Sequence, residues 1–154
     1  MTSMNAKHSM WSIDSILLSE NEVISRIGGM DKGLVVLDGP SGCGKSSLVR
    51  KLDVHDTTVI SSEKMVNEII SLVRGNRHDV EEAVKTQFQK KIVCLEDVDY
   101  ELKGKPETTA LVRRVIGKVL EEHVVILTGI GIKERIPDLL GGMETVYLKG
   151  VLYG

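Results

Sequence analysis

The chain has 154 residues, 42 % hydrophobic and 27 % charged, with a net charge of −2. That is the length of one domain with a single sizeable core and an ordinary globular composition, and the charge balance excludes a general electrostatic grip on duplex DNA. No apolar run approaches the roughly 18 residues of a membrane helix, the polar start has no signal-peptide core, and the two cysteines, Cys43 and Cys94, have neither disulfide nor metal spacing, so the chain reads as cytosolic.

In chain order, residues 1 to 10 read as a flexible N-terminus, and Trp11, Ile13, Ile16, Leu17 and Leu18 form an apolar lead-in. Trp11, the one tryptophan, is either a core plug or a neighbour of a bound base. Ser19 with Glu22 three residues on predicts an N-capped helix over 20–27, ended by Gly28-Gly29. The apolar run 34–37 then leads into Gly39-Pro40-Ser41-Gly42-Cys43-Gly44-Lys45-Ser46, followed by Ser47 and a helical stretch to Leu52. This is G-x-x-x-x-G-K-[ST] in its required setting of strand, loop and helix. Gly39, Gly42 and Gly44 permit backbone angles closed to other residues, so that loop N–H groups can turn toward phosphate oxygens at the start of the helix. Lys45 is the expected charge for the β- and γ-phosphates and the Ser46 hydroxyl the expected Mg²⁺ ligand. Residues 39–47 together are the expected binding loop for a nucleoside triphosphate.

Residues 57–60 predict a second strand, and Ser61-Ser62-Glu63-Lys64 a helix start with Met65, Val66, Ile69, Ile70, Leu72 and Val73 at helical spacing. Gly75-Asn76 ends it, and Asp79 caps a further helix over 80 to about 89. Residues 91–97 then place two carboxylates, Glu96 and Asp97, at the end of a buried parallel strand, the edge where ligands of open α/β sheets bind. One acid is expected to hold Mg²⁺ and the next to polarise an attacking water; Asp99 is a further acid nearby. A helix over 107 to about 122 and a strand over 123–128 follow. Thr128, at that strand's end, either meets the γ-phosphate or the attacking water, or simply finishes the strand. A short helix over 132–140 and a last strand over 144–149 complete five strands alternating with helices, an α/β fold with a parallel sheet and right-handed crossovers.

The phosphate loop, Val59-Ile60-Ser61-Ser62-Glu63-Lys64, Val93-Cys94-Leu95-Glu96-Asp97-Val98-Asp99, Val125-Ile126-Leu127-Thr128-Gly129 and Ile136-Pro137-Asp138-Leu139 resemble, in this order, the bacterial replication initiator DnaA and, more closely, its short regulatory homologue Hda. The resemblance spans roughly residues 11–150. It implies a three-layer P-loop NTPase of AAA+ type with five parallel strands in the order 5-1-4-3-2, binding ATP or ADP with Mg²⁺ and acting with a DnaA-like partner or a second copy in replication control. Lys45 and Ser46 then take the Walker A roles, Glu96 and Asp97 those of Walker B, and Thr128 that of sensor 1. The chain departs from the family at three places. Glu96 stands where the family has Asp, Leu140-Gly141-Gly142-Met143 lacks the arginine that reaches a neighbour's nucleotide, and residues 11–154 are expected to form one core with no lid domain. Slow ATP hydrolysis by the isolated chain is the corresponding expectation, since an arginine brought to the γ-phosphate typically contributes about 10³–10⁵ in rate. Arg74, Arg77 and His78 lie where the family can line a single DNA strand, but here they read as solvated charges, with only 3 % aromatic residues for stacking. The competing reading is a P-loop small-molecule kinase, although the segment between Gly75 and Lys90 offers a single arginine for a lid.

Overall fold

The computed structural model describes residues 8–40, 43–53, 56–76, 78–98, 106–132 and 145–153. One sheet organises them. Its strands are β1 (His8–Ile13), β2 (Ile16–Ser19), β3 (Gly33–Asp38), β4 (Thr57–Ser61), β5 (Ile92–Glu96), β6 (Val124–Gly129) and β7 (Thr145–Tyr153), in the order β2-β1-β7-β3-β6-β5-β4. Its helices are α1 (Glu20–Gly28), α2 (Lys45–Leu52), α3 (Ser62–Arg74), α4 (Val80–Lys85) and α5 (Pro106–Val119).

The sheet has seven strands, which corrects the expectation of five. The five from β7 to β4 are mutually parallel and, counted among themselves, run 5-1-4-3-2. The other two form an antiparallel hairpin, with β1 pairing along the outer side of β7 so that Trp11 lies opposite Gly150. This pairing makes strand of residues 8–10, which the sequence reading left loose, and carries β7 past the expected end at Lys149. The hairpin turn is Asp14-Ser15, both at positive φ (46° and 68°), the mark of a primed turn whose twist suits a two-residue hairpin.

Alternation along β3 divides the core. Val35 and Leu37 face α1 and α2 through Val23, Ile27, Leu48 and Leu52, with Trp11 in the same cluster. Leu34 and Val36 face α3, α4 and α5 through Met65, Ile69, Val84 and Val115. Trp11 is therefore a core residue. The Ser19–Glu22 capping box forms as its spacing predicts. α3 buries Met65, Val66 and Ile69 but leaves Ile70 and Val73 exposed, so its apolar face is narrower than the sequence spacing implies. α4 stops at Lys85, short of the expected 89: the Thr86 N–H still bonds the Glu82 carbonyl while its hydroxyl donates to Ala83, and Gln87 and Phe88 then leave the helix through tighter turns onto the carbonyls of Val84 and Lys85. The helix expected over 132–140 falls, from residue 133 on, outside the described residues, as do Asp99, Arg77 and Leu140 to Met143. Both cysteines are free and buried, and burial, with the Glu96 carboxylate a lesser cause, pushes the Cys94 thiol up.

Candidate functional site: the phosphate loop and the acid edge

β3 is buried from Leu34 to Asp38 and delivers the chain to Gly39, whose N–H donates to the Gly129 carbonyl at the end of β6 (3.3 Å). The Cys43 N–H closes a turn of the loop onto the Pro40 carbonyl (3.2 Å). Gly44 sits in the left-handed region (φ 103°) and is the N-cap of α2, with no side chain to occupy the helix's leading N–H groups. Lys45 folds its ammonium back onto the carbonyls of Gly39 and Pro40, the latter at 3.2 Å. Ser46 is exposed on the first turn. Ser47 turns the other way: its hydroxyl donates to Glu20 (3.4 Å), whose carboxylate also pairs with Lys51, so it straps α2 to α1. Ser41 and Gly42 lie outside the described residues.

The loop glycines serve different ends. Gly44 supplies the left-handed turn the sequence implies. Gly39 does not adopt a left-handed conformation; it is glycine because there is no room, since a Cβ there would stand 2.6 Å from Cys43 Sγ and 3.2 Å from Gly150 Cα. Gly150 is hemmed in the same way, with a Cβ falling 2.5 Å from Cys43 Sγ and 3.4 Å from the Trp11 ring. Trp11, Cys43, Gly39 and Gly150 therefore form a dry steric seat under the phosphate loop.

The acids occupy the other flank. Glu96 is the last residue of β5, in register with Ser61 of β4, and shares a cleft of about 190 Å³ with Ser46, Val49, Arg50, Asp53 and Val59. Partial burial first, then the Asp97 and Asp53 charges, hold its carboxyl above the usual carboxylate range. Asp97 is exposed and left-handed (φ 58°), a conformation that costs residues other than glycine about 1–2 kcal/mol and that Asp tolerates better than most. Its N–H donates to Thr128 Oγ1 (3.3 Å), and its carbonyl accepts from the Ser62 hydroxyl (2.9 Å). Thr128 is 3 % exposed, so its hydroxyl reaches the site through the Asp97 backbone.

This donor set fits Mg²⁺ held partly by a nucleotide. A serine hydroxyl and a carboxylate share one cleft, and a divalent cation there would relieve the charge crowding on Glu96. Among the described residues no three His, Cys, Asp or Glu side chains gather into a metal cage, so substrate phosphates would complete the coordination.

Sequence reasoning passed over Asp38. It is 5 % exposed at the end of β3, and its carboxylate accepts from the Gly131 N–H (2.7 Å) and the Tyr147 hydroxyl (2.6 Å). It thereby ties β3 to β7 on one side and to the segment after β6 on the other. The available signal was a lone carboxylate ending an apolar strand directly before the first loop glycine. Ser62 was marked only as part of a helix start, because its partner Asp97 is distant in sequence.

No family model matches the chain, and no curated protein does. Solved structures match its fold. Domain III of the Thermotoga maritima replication initiation protein DnaA is 14 % identical over 84 % of this chain and 59 % of that one, with a TM-score of 0.60. AMPPCP-bound DnaA from Aquifex aeolicus is 14 % identical over 83 % of this chain and 43 % of that one, at 0.55. The replication initiator DnaA bound to AMPPCP and single-stranded DNA is 16 % identical with the same coverages, also at 0.55. The chain shares the fold of these DnaA structures, and it spans between 43 % and 59 % of their length. Among the described residues no helix is long and apolar enough to cross a membrane.

Proposed function

We propose that this chain is a Mg²⁺-dependent ATP- or ADP-binding module of DnaA-like AAA+ type, acting in the initiation of chromosomal replication or in its regulation through a DnaA-like partner or a second copy of itself. The observation that carries the reading is the phosphate loop on its steric seat, with Ser46 and Glu96 lining one cleft beside it. The AMPPCP carried by two of the matched DnaA structures supports it. Lys45 would leave the loop carbonyls to meet the β- and γ-phosphates at the N-terminus of α2, and Ser46 with Glu96 would hold Mg²⁺. The metal supplies charge neutralisation on the phosphates. Asp97 orients the attacking water. Turnover by the chain alone is slow, because Leu140, Gly141, Gly142 and Met143 provide no arginine where the DnaA resemblance calls for one. Single-stranded DNA, bound in one of the matched structures, is left out of this reading on grounds of net charge and aromatic content.

The primary test is thermal unfolding with and without Mg·ADP or Mg·ATP. Saturation at about 100 times Kd adds about 2.7 kcal/mol to the unaltered chain, and Lys45→Ala removes the shift; an equal shift in the variant would refute the loop assignment. Light scattering of the eluted complex, in ADP and in AMPPCP with a DnaA from the same cell, tests the partner. The cleft beside Ser46 also favours a second reading, because Arg50 and Asp53 could grip a small phosphoryl acceptor there. Passage of labelled γ-phosphate to a nucleoside or nucleotide instead of water would establish the kinase.

A further inference from the structure

Asp97 is the first residue beyond the β5 ladder, so sheet register fixes Glu96 but not the acid that follows it. Its backbone is left-handed, at φ 58°. Rotation about N–Cα to the right-handed or extended basin would swing the Cβ, and with it the carboxylate, to another side of the chain. Two hydroxyls oppose that rotation from either side. The Asp97 N–H donates to Thr128 Oγ1 at the end of β6, and the Asp97 carbonyl accepts from Ser62 Oγ at the start of α3. Ser62 has no capping duty to explain it: Ser61 is the N-cap of α3 and accepts from the Lys64 N–H (3.2 Å). Ser62 is buried, and the one hydrogen bond its hydroxyl makes among the described residues is to Asp97.

We infer that Ser62 is a positioning residue, which acts with Thr128 to lock Asp97 in its left-handed conformation and so aims the Asp97 carboxylate. The lock joins three elements, β5, β6 and α3, and makes the first turn of α3 part of the acid edge. The inference rests on the proposed ATPase reading for the task Asp97 performs. The backbone lock itself is independent of that reading.

The test is single-turnover hydrolysis of γ-labelled Mg·ATP with the protein in excess, alongside Mg·ATP affinity by calorimetry. Ser62→Ala should slow hydrolysis about tenfold or more while Kd stays within about twofold. Ser62→Thr, which keeps the hydroxyl, should restore the rate. In an Asp97→Ala background Ser62→Ala should change nothing further, because it acts through that carboxylate. Thr128→Val, close in shape, should reproduce the rate defect from the other side, so the lock stays testable if Ser62→Ala misfolds. Hydrolysis independent of Ser62, a further fall on top of Asp97→Ala, or a Kd loss that accounts for the whole defect would each overturn the inference, as would the absence of any overnight turnover by the unaltered chain. If the unaltered chain binds no Mg·ATP, the nucleotide reading falls with it; if it binds and turns over regardless of Ser62, only the positioning role falls.

Discussion

The two flanks of the candidate site are held by opposite means. Toward β7, the phosphate loop rests on atoms that are missing: Gly39 and Gly150 leave just enough space for Cys43 Sγ, and Trp11 closes it from behind. Toward β5 and β6, the acids are held by hydrogen bonds, from Ser62 and Thr128 onto the backbone of Asp97 and by strand register onto Glu96. A steric seat tolerates no added atom, and losing it costs the fold. A hydrogen-bonded edge exchanges its side chains at small cost in stability and large cost in chemistry.

Three measurements sharpen this contrast, the largest effect first. Gly150→Ala drives a methyl into Cys43 and should cost about 1–3 kcal/mol in denaturant unfolding, together with nucleotide affinity. Adding Cys43→Ala should recover much of the loss by vacating the sulfur's space, and no recovery would show that the seat is not steric. Asp97→Gly should move stability the other way. Relief of the left-handed strain, offset by the extra freedom glycine gives the unfolded chain, leaves a gain of less than about 1 kcal/mol, with hydrolysis lost. A destabilised, fully active Asp97→Gly protein would contradict both the strain and the role. The smallest effect is one of pH. The folded form holds the Glu96 proton more tightly than the unfolded chain does, so this group's contribution is fully present below the unfolded value and declines as pH rises through the raised one. Glu96→Gln should remove that slope from the apo protein and weaken the Mg²⁺ dependence of nucleotide binding; an unchanged slope would mean Glu96 is not the crowded carboxylate.

What the sequence made legible was local. The strand and helix flanking the phosphate loop, the Ser19–Glu22 box and the apolar runs of β3, β5 and β6 each carry their cause within a few residues, and all form where the sequence reading puts them. The β1–β2 hairpin was hidden because its turn is Asp14-Ser15, which lacks the glycine that usually announces two successive positive φ values. With it went the seven-stranded sheet and the surroundings of Trp11. Asp38 and Ser62 read as a strand end and a helix start, since nothing near them reveals that their partners are Gly131, Tyr147 and Asp97. The glycine at position 39 was legible as a motif residue but for the wrong reason, because its constraint is the lack of room beside Cys43 Sγ and, more than 100 residues later, the Gly150 backbone.

That long reach has a temporal consequence. Trp11 and Gly150 face each other across neighbouring strands, although almost the whole described chain separates them. A nascent polypeptide thus carries every residue of the Gly39-to-Ser46 motif well before Gly150, the far wall of its seat, has been translated. On the proposed reading, nucleotide capture would wait for β7, and a proteolytic fragment cut ahead of β7 would keep the signature while losing the Gly150 side of its seat.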